Sequence, residues 1–303
     1  MSRYLPCQVR KLYKNIIAAR SAFSPAIRHW ILAGSRLFTP CPIRQGSKYV
    51  NHESFPVKKM IAFDLDGTLA ESKQAIDKAM AKLFSDLLDH FPVCVISGGD
   101  WPQFERQLLG RLPDGTRLGD LYLMPTSGTK FYRFDTEWRE IYADSFTASE
   151  RKPILTALNQ AIADAGFGED KVWGDRIEDR GTQITFSGLG QKAPPDAKAG
   201  WDPDLAKRTR LKALLDKALT GVSVRIGGST SVDITRPGVD KAYGMRKLAE
   251  LSGFALQDML YMGDAMYPGG NDAPVRDAGI ASIAVRDIAD TKLSIETILK
   301  VAT

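Results

Sequence analysis

Short apolar runs alternate with an amphipathic helix from residue 58 onward, and this alternation restricts the possible folds more than any other feature. Residues 60–63 and 92–96 are apolar runs of strand length. Between them, residues 75–90 carry apolar side chains at the three- and four-residue spacing of one helix face. A strand, a helix and a strand over this length predict a parallel βαβ unit. The alternation returns after residue 241, so we expect an α/β core with a Rossmann-like, doubly wound parallel sheet.

The middle of the chain has a different pattern. Its strand-like runs are separated by tight turns, which predicts antiparallel pairing. These runs lie at residues 131–134, 138–142, 172–177 and 182–186. Two helical stretches interrupt them. We therefore expect a core built from residues 58–134 and 236–303, with an α+β cap inserted at residues 135–235.

The N-terminal segment is strongly basic. Residues 1–59 contain 11 of the 41 Lys and Arg residues and only one acid, Glu53. We expect residues 1–57 to be a basic extension that is disordered, directs the chain to an organelle, or precedes a true start at Met60. Because the positive charge is concentrated there, it is poor evidence for a nucleic-acid surface on the rest of the chain.

Several classes of protein are disfavoured by simple counts. No apolar run approaches the roughly 18 residues that a membrane helix needs. Cys7, Cys41 and Cys94 have no paired spacing, which argues against a disulfide framework or a zinc ribbon and favours a reducing, cytoplasmic location. His90 is the only histidine after residue 59, so a Ser-His-Asp triad or a histidine-rich metal site is a poor hypothesis.

Two aspartates follow the first predicted strand. Asp64 and Asp66 are two residues apart, so both would face the same crevice, and Gly67 permits the turn that follows them. In open parallel sheets, ligands bind beyond the carboxyl ends of the strands. A pair of this kind is by itself more often a turn than a catalytic site.

Other polar residues and glycines lie just after predicted core strands or at the start of a core helix. They are Ser97, Gly98, Gly99, Lys241, Asp264, Asn271 and Asp272. Each alone is ordinary turn or surface chemistry. All of them would nevertheless converge on one edge of the sheet, and this combination is far more specific than any single member.

These motifs, in this order, resemble those of the haloacid dehalogenase superfamily of phosphoaspartyl enzymes over about residues 58–300. The large insert looks like the α/β cap of the branch that contains Cof-type sugar phosphatases, sucrose phosphatase and eukaryotic-type phosphomannomutase. Residues 227–233 and 263–272 are most similar to the motifs of the phosphomannomutases.

The resemblance implies catalytic roles and a metal ion. Asp64 would be the nucleophile, and Asp66 would be the general acid and base. The groups implied to hold the phosphoryl group or offset its charge are Ser97, Gly98, Gly99 and Lys241. The implied cofactor is Mg²⁺, which prefers oxygen ligands. Its implied ligands are Asp64, the backbone carbonyl of Asp66, Asp264 and Asp272.

The resemblance also implies that the cap selects the substrate. The implied substrate-binding residues are Arg180, Gln191, Lys198, Ser231 and Asp233 in the cap and Asn271 in the core. Gln191 stands where phosphomannomutases have an arginine that helps hold a distal phosphate, and a neutral amide holds phosphate less tightly than a guanidinium does. Without the resemblance, Arg180 and Lys198 would be better interpreted as solvated surface charges.

We therefore expect a Mg²⁺-dependent phosphohydrolase that acts on a small phosphorylated metabolite, with a sugar phosphate as the favoured class. The alternative is a phosphomannomutase that interconverts mannose 6-phosphate and mannose 1-phosphate. A catalytically silent binding protein is disfavoured, because every motif carboxylate and the lysine are present. The expected partner is the phosphorylated substrate, without a membrane or a specific nucleic acid. The oligomeric state, monomer or homodimer, stays open.

Overall fold

The computed structural model of the protein describes residues 58–167 and 171–302. Lys58–Thr303 forms one compact unit. The predicted basic extension of residues 1–57 lies outside the described residues. No helix in the described ranges is long and apolar enough to cross a lipid bilayer.

Strands and α-helices alternate along most of the described chain. The strands are β1 (Met60–Phe63), β2 (Val93–Ile96), β3 (Leu121–Met124), β4 (Lys130–Phe134), β5 (Trp138–Ala143), β6 (Ile177–Asp179), β7 (Gln183–Ser187), β8 (Ser223–Ile226), β9 (Ser231–Thr235), β10 (Met259–Gly263) and β11 (Ala281–Ala284). The α-helices are α1 (Lys78–Leu88), α2 (Trp101–Gln107), α3 (Ala148–Asp164), α4 (Pro195–Trp201), α5 (Ala206–Ala218), α6 (Lys241–Ser252), α7 (Ala273–Asp277) and α8 (Ile288–Ala302).

The larger sheet has seven strands in the order β11-β10-β1-β2-β3-β4-β5. The first five of these strands are parallel, and β4 and β5 extend one edge in antiparallel pairing. The expected α/β class with a Rossmann-like parallel core is confirmed. Because β1 lies between β10 and β2, the loops that follow these three strands meet at one edge of the sheet.

Alternate residues of β1 pack on opposite faces of this sheet. Ile61 and Phe63 lie in one buried cluster with apolar residues of α1 and α8. Met60 and Ala62 lie in a second cluster with apolar residues of α6. Since helices cover both faces, every residue of this strand is buried, and the strand is continuously apolar instead of alternating. This packing fixes the position of the loop that follows β1.

The smaller sheet is antiparallel and has the order β6-β7-β9-β8. One face packs against α3 and α5, through residues such as Leu158, Phe186 and Leu211. Thr185 of β7 and Asp233 of β9 are cross-strand partners. Both side chains line the cavity between this sheet and the edge of the larger sheet.

Strand pairing corrects the predicted start of the cap. The expected boundary at residue 135 falls between β4 and β5, yet these two strands form a hairpin within the larger sheet, with Phe134 opposite Trp138 and Lys130 opposite Ala143. The chain therefore leaves the larger sheet only after Ala143. We propose that the insert begins there and extends to about residue 235.

The strand predicted at residues 172–177 is also wrong in extent, because only Ile177–Asp179 forms β6. Gly174 has a positive φ of 80°, which interrupts an extended conformation. The backbone of Trp173 instead bonds to a loop, accepting from the Lys192 N–H and donating to the Leu189 carbonyl. Both backbone hydrogen bonds of Trp173 are therefore made with a loop and not with a strand.

Candidate active site

The first aspartate motif occupies the turn that follows β1. Gly67 has a positive φ of 82°, which favours glycine. A Cβ atom at this position would lie 2.5 Å from a carboxylate oxygen of Asp264. Glycine at residue 67 therefore allows the loop after β1 to approach the loop after β10, which carries Asp264.

A buried cluster of charges lies where the two loops meet. Lys241, the first residue of α6, places its Nζ 2.8 Å from Oδ1 of Asp64 and 2.6 Å from Oδ1 of Asp272. The Lys241 side chain is only 1% exposed. One carboxylate oxygen each from Asp64, Asp264 and Asp272 lies within 4.8 Å of the others. Two carboxylates therefore pair with one buried lysine, and the third, Asp264, lies beside them.

Asp272 accepts hydrogen bonds on both of its oxygens. Oδ1 accepts from Lys241 and from the Tyr261 hydroxyl at 2.5 Å, and Oδ2 accepts from the Ala265 N–H at 2.9 Å. Asp64 and Asp264 line the cavity, whereas Asp272 lies behind them. These contacts favour Asp272 as the residue that holds Lys241, with Asp64 and Asp264 as the carboxylates that face a ligand.

The cluster shifts the pKa values of its members. Burial raises the pKa of Asp64 to about 8, and the Asp272 carboxylate adds to this while Lys241 opposes it. Burial, and to a smaller extent repulsion from Asp272, raises the pKa of Asp264. Burial alone would lower the pKa of Lys241, but the attraction of Asp64 and Asp272 raises it above its ordinary value. The site thus holds more negative charge than its one lysine neutralises.

This donor set fits a divalent cation that prefers oxygen ligands. Asp64 and Asp264 could hold Mg²⁺, because their carboxylates converge from two loops at the floor of the cavity. A dication would offset the excess negative charge that raises both pKa values. The acid cluster therefore agrees with the cofactor expected from the sequence.

Asp66 lies beside this cluster and is held by three donors. Nε2 of Gln103 lies 2.7 Å from Oδ2, Nε2 of Gln107 lies 3.0 Å from Oδ1, and the Lys73 N–H lies 2.7 Å from Oδ1. Asp66 lines the same cavity as Asp64. The two aspartates predicted from the sequence therefore face one space, as the strand spacing requires.

The loop after β2 supplies a hydroxyl group and backbone groups. Ser97 is buried and its Oγ accepts from the Gly99 N–H at 3.2 Å, which leaves the hydroxyl proton free to be donated to a ligand. Nη1 of Arg180 in the cap donates to the Gly98 carbonyl at 2.6 Å. Arg180 also pairs with Glu178 at 2.7 Å. A cap residue thus contacts the loop that is expected to hold the phosphoryl group.

Further cations face the cavity near Gln191. Nζ of Lys73 donates to Oε1 of Gln191 at 3.0 Å, and Lys198 lines the same cavity. Burial, then the nearby charges of Lys198 and Arg180, lower the pKa of Lys73. Burial also lowers the pKa of Lys198. Such a crowded set of cations favours a bound anion, which would relieve their mutual repulsion.

Polar groups of the smaller sheet and of nearby loops face the same cavity. The Thr185 hydroxyl donates to Oδ1 of Asp233 at 2.7 Å, and burial raises the pKa of Asp233. Nε2 of Gln191 is buried and has no hydrogen-bond partner within the described part of the chain. Ser231 and Asn271 also line the cavity. These groups can donate to, or accept from, the hydroxyl groups of a small polar ligand.

The cavity has a volume of about 880 Å³. The structure brings together around it every predicted site residue except Asp272, which it places behind the lining. Sequence reasoning missed several lining or supporting residues, namely Lys73, Gln103, Gln107, Gln183 and Thr185. The only available signal was the position of Gln103 and Gln107 one helical turn apart, and glutamines at that spacing are ordinary on helix surfaces.

Comparisons with known proteins agree with this arrangement. A model of the family described as eukaryotic phosphomannomutase matches residues 80–301. The chain is 24% identical over 256 residues to a phosphomannomutase of Encephalitozoon cuniculi, which covers 80% of this chain and 94% of that protein.

Solved structures show the same fold. An N-terminally truncated IMP-nucleotidase of Plasmodium falciparum matches with a TM-score of 0.59 and 17% identity over 81% of this chain and 71% of that one. A trehalose-6-phosphate phosphatase related protein matches with a TM-score of 0.50 and 19% identity over 80% of this chain and 97% of that one. These likenesses concern the fold alone. The family match, by contrast, includes the cap and the motifs at Ser97, Lys241 and Asp264, so the chain belongs to the eukaryotic phosphomannomutase family.

Proposed function

We propose that this protein is a Mg²⁺-dependent phosphomannomutase, which interconverts mannose 6-phosphate and mannose 1-phosphate through an aspartyl phosphate on Asp64. The family match over residues 80–301 carries the proposal, and the relatives named phosphomannomutase support it. The hydrolase favoured by the sequence alone becomes the second candidate. The observation that still favours a hydrolase is Gln191 in place of an arginine.

The proposed reaction transfers a phosphoryl group twice. A carboxylate oxygen of Asp64 attacks the phosphorus of a hexose bisphosphate, the P–O bond to the sugar breaks, and a proton from Asp66 passes to the sugar oxygen. In the second transfer, Asp66 accepts the proton of the unphosphorylated hydroxyl group of a hexose monophosphate that enters the site. That oxygen attacks the phosphorus of the aspartyl phosphate, the bond to Asp64 breaks, and a hexose bisphosphate forms again. In a hydrolase, water would replace the second hydroxyl group.

The residues around Asp64 would stabilise the negative charge of these transfers. Lys241 lies 2.8 Å from Asp64 and offsets the charge of the nucleophile. Ser97 has a hydroxyl proton to donate to a phosphoryl oxygen. Mg²⁺, held by Asp64 and Asp264, would supply positive charge beside the phosphoryl oxygens.

A mutase must also hold the second phosphate group while the first is transferred. Among the cations that line the cavity, Lys73, Arg180 and Lys198 lie close enough together for the other two to lower the pKa of Lys73, and they could hold this phosphate group. Because Lys73 lies 3.0 Å from Gln191, a lysine of the core stands beside the position where the family has an arginine. This contact weakens the argument that Gln191 removes the charge needed for mutase activity.

The test is a coupled assay with mannose 1-phosphate, Mg²⁺ and a catalytic amount of a hexose bisphosphate. Mannose 6-phosphate and inorganic phosphate are measured in parallel. We expect isomerisation to be faster than phosphate release and Asp64→Asn to abolish both, because an amide cannot form the acyl phosphate. Faster phosphate release would favour the hydrolase. Wild-type protein without either activity would refute both candidates.

A further inference from the structure

We infer that Gln103 and Gln107 are positioning residues for Asp66, the proposed general acid and base. No sequence motif assigned a role to either glutamine. The inference rests on the proposed function, because Asp66 needs a fixed position only if it exchanges a proton with a sugar hydroxyl group. It concerns the residues that hold Asp66, whichever acceptor receives the phosphoryl group.

The two amides hold different oxygens of the same carboxylate. Gln103 donates to Oδ2 at 2.7 Å, and Gln107 donates to Oδ1 at 3.0 Å. With the Lys73 N–H also on Oδ1 at 2.7 Å, neither oxygen is without a donor. Rotation of the Asp66 carboxylate would break at least two of these bonds. The contacts therefore fix the plane of the carboxylate as well as its position.

The helix that carries both glutamines is itself anchored. Gln103 and Gln107 are four residues apart on α2, so they lie on one face of the helix. Asp100, the N-cap residue of α2, pairs with Lys130 of β4 at 2.7 Å. The Trp101 ring stacks on Tyr132 with 4.2 Å between centroids. The two amides thus extend from an element fixed to the larger sheet.

A glutamine suits a residue that alternately carries and releases a proton. Its amide group offers both donors and an acceptor, so it can bond to the carboxylate and, after rotation, to the carboxylic acid. Gln107 is 2% exposed and also donates to the Gln74 carbonyl at 2.6 Å, which fixes its amide group. Gln103 is half-buried and lines the cavity. Gln103 is therefore the member of the pair that can follow a change in protonation.

Gln107 gives a second way to disturb the same carboxylate. Its Nε2 donates to Oδ1 of Asp66 at 3.0 Å, whereas Nε2 of Gln103 donates to Oδ2. Methionine at residue 107 has a similar length but removes this donor. Gln107→Met should therefore have the same kinetic signature as Gln103→Met.

The experiment compares leaving groups in wild-type protein, Gln103→Met and Gln107→Met. Mannose 1-phosphate isomerisation needs Asp66 as acid and base, whereas 4-nitrophenolate leaves 4-nitrophenyl phosphate without a proton. We expect both variants to lower the kcat of isomerisation about tenfold, a fraction of the usual contribution of acid–base catalysis, with KM changed less than about twofold. The single-turnover burst of 4-nitrophenolate should change less than about twofold.

Gln160→Met is the matched control. Like Gln103, Gln160 donates a hydrogen bond to an aspartate. Its acceptor is Asp164, at 2.8 Å, on the exposed surface of α3. It should leave both reactions unchanged. Equal losses in the isomerisation and the burst, or no loss in either, would overturn the inference while the proposed function stands. Absence of both reactions in wild-type protein would refute the proposed function and, with it, the inference.

Discussion

Replacement of Lys241 by methionine tests the charge balance of the site. The side chains of Lys241 and Asp272 are 1% and 0% exposed, and their charged atoms lie 2.6 Å apart. Methionine fills a similar volume but leaves Asp64 and Asp272 buried without an opposing charge. Removal of one partner of a buried ion pair costs about 3 to 5 kcal/mol, and we expect this loss in metal-free protein.

This loss of stability corresponds to a decrease in the melting temperature, Tm. For a chain of this size, about 1 kcal/mol corresponds to roughly 2 to 4 °C, so the predicted decrease in Tm is about 6 to 20 °C in EDTA. The effect should depend on pH. The pKa of Asp64 is raised to about 8. At pH values between the ordinary pKa of an aspartate and about 8, the folded protein therefore retains a proton that the unfolded chain releases. Stability from this group is therefore lost as pH rises, and more steeply without Lys241.

The assay is thermal unfolding at pH 5 and pH 8 with and without Mg²⁺. The decrease in Tm should be larger at pH 8, and Mg²⁺ should restore part of it. The control is Lys82→Met, because Lys82 pairs with Asp86 on the surface with side chains 74% and 39% exposed. Such a pair contributes about 0 to 1 kcal/mol. If Lys241→Met lowers Tm no more than Lys82→Met does, and equally at both pH values, the proposed charge balance is wrong.

Two further predictions concern metal binding and acid stability. Asp264→Asn should weaken Mg²⁺ binding in calorimetry at least tenfold, because a neutral amide replaces a carboxylate that faces the cavity; unchanged affinity would exclude Asp264 as a ligand. Hydrogen bonds from Arg236 lower the pKa of Glu150 to about 2. The stability that this ion pair contributes is therefore present above the ordinary pKa of a glutamate and is lost as pH falls towards about 2. Glu150→Gln should therefore lower Tm at pH 7 and have no effect near pH 2, and an equal change at both would contradict the pairing.

The sequence predicted the core because its signals are local. The apolar run of β1 and the aspartates after it lie within a few residues, so strand geometry alone places Asp64 and Asp66 on one side. The position of β5 was not predictable in this way. The hairpin of β4 and β5 has the same local pattern whichever sheet it joins, and only the pairing of β4 with β3 places it in the larger sheet. The hydrogen bonds that Gln103 and Gln107 donate to Asp66 could not be predicted for a similar reason, since these contacts form only in the folded chain.

The two charged clusters of the cavity explain why metal and substrate should bind together. Asp64 and Asp272 pair with one lysine and Asp264 lies beside them, so this cluster has excess negative charge, and a dication would stabilise it. Lys73 and Lys198 have lowered pKa values because burial and, for Lys73, neighbouring cations disfavour their charged forms, so an anion would stabilise them. Because like charges crowd each cluster, the electrostatic energy of each should fall when its ligand of opposite charge binds. With a dication in the acidic cluster, one phosphate group of the proposed hexose bisphosphate could bind to that dication while the other binds to the lysines, so metal binding should strengthen substrate binding.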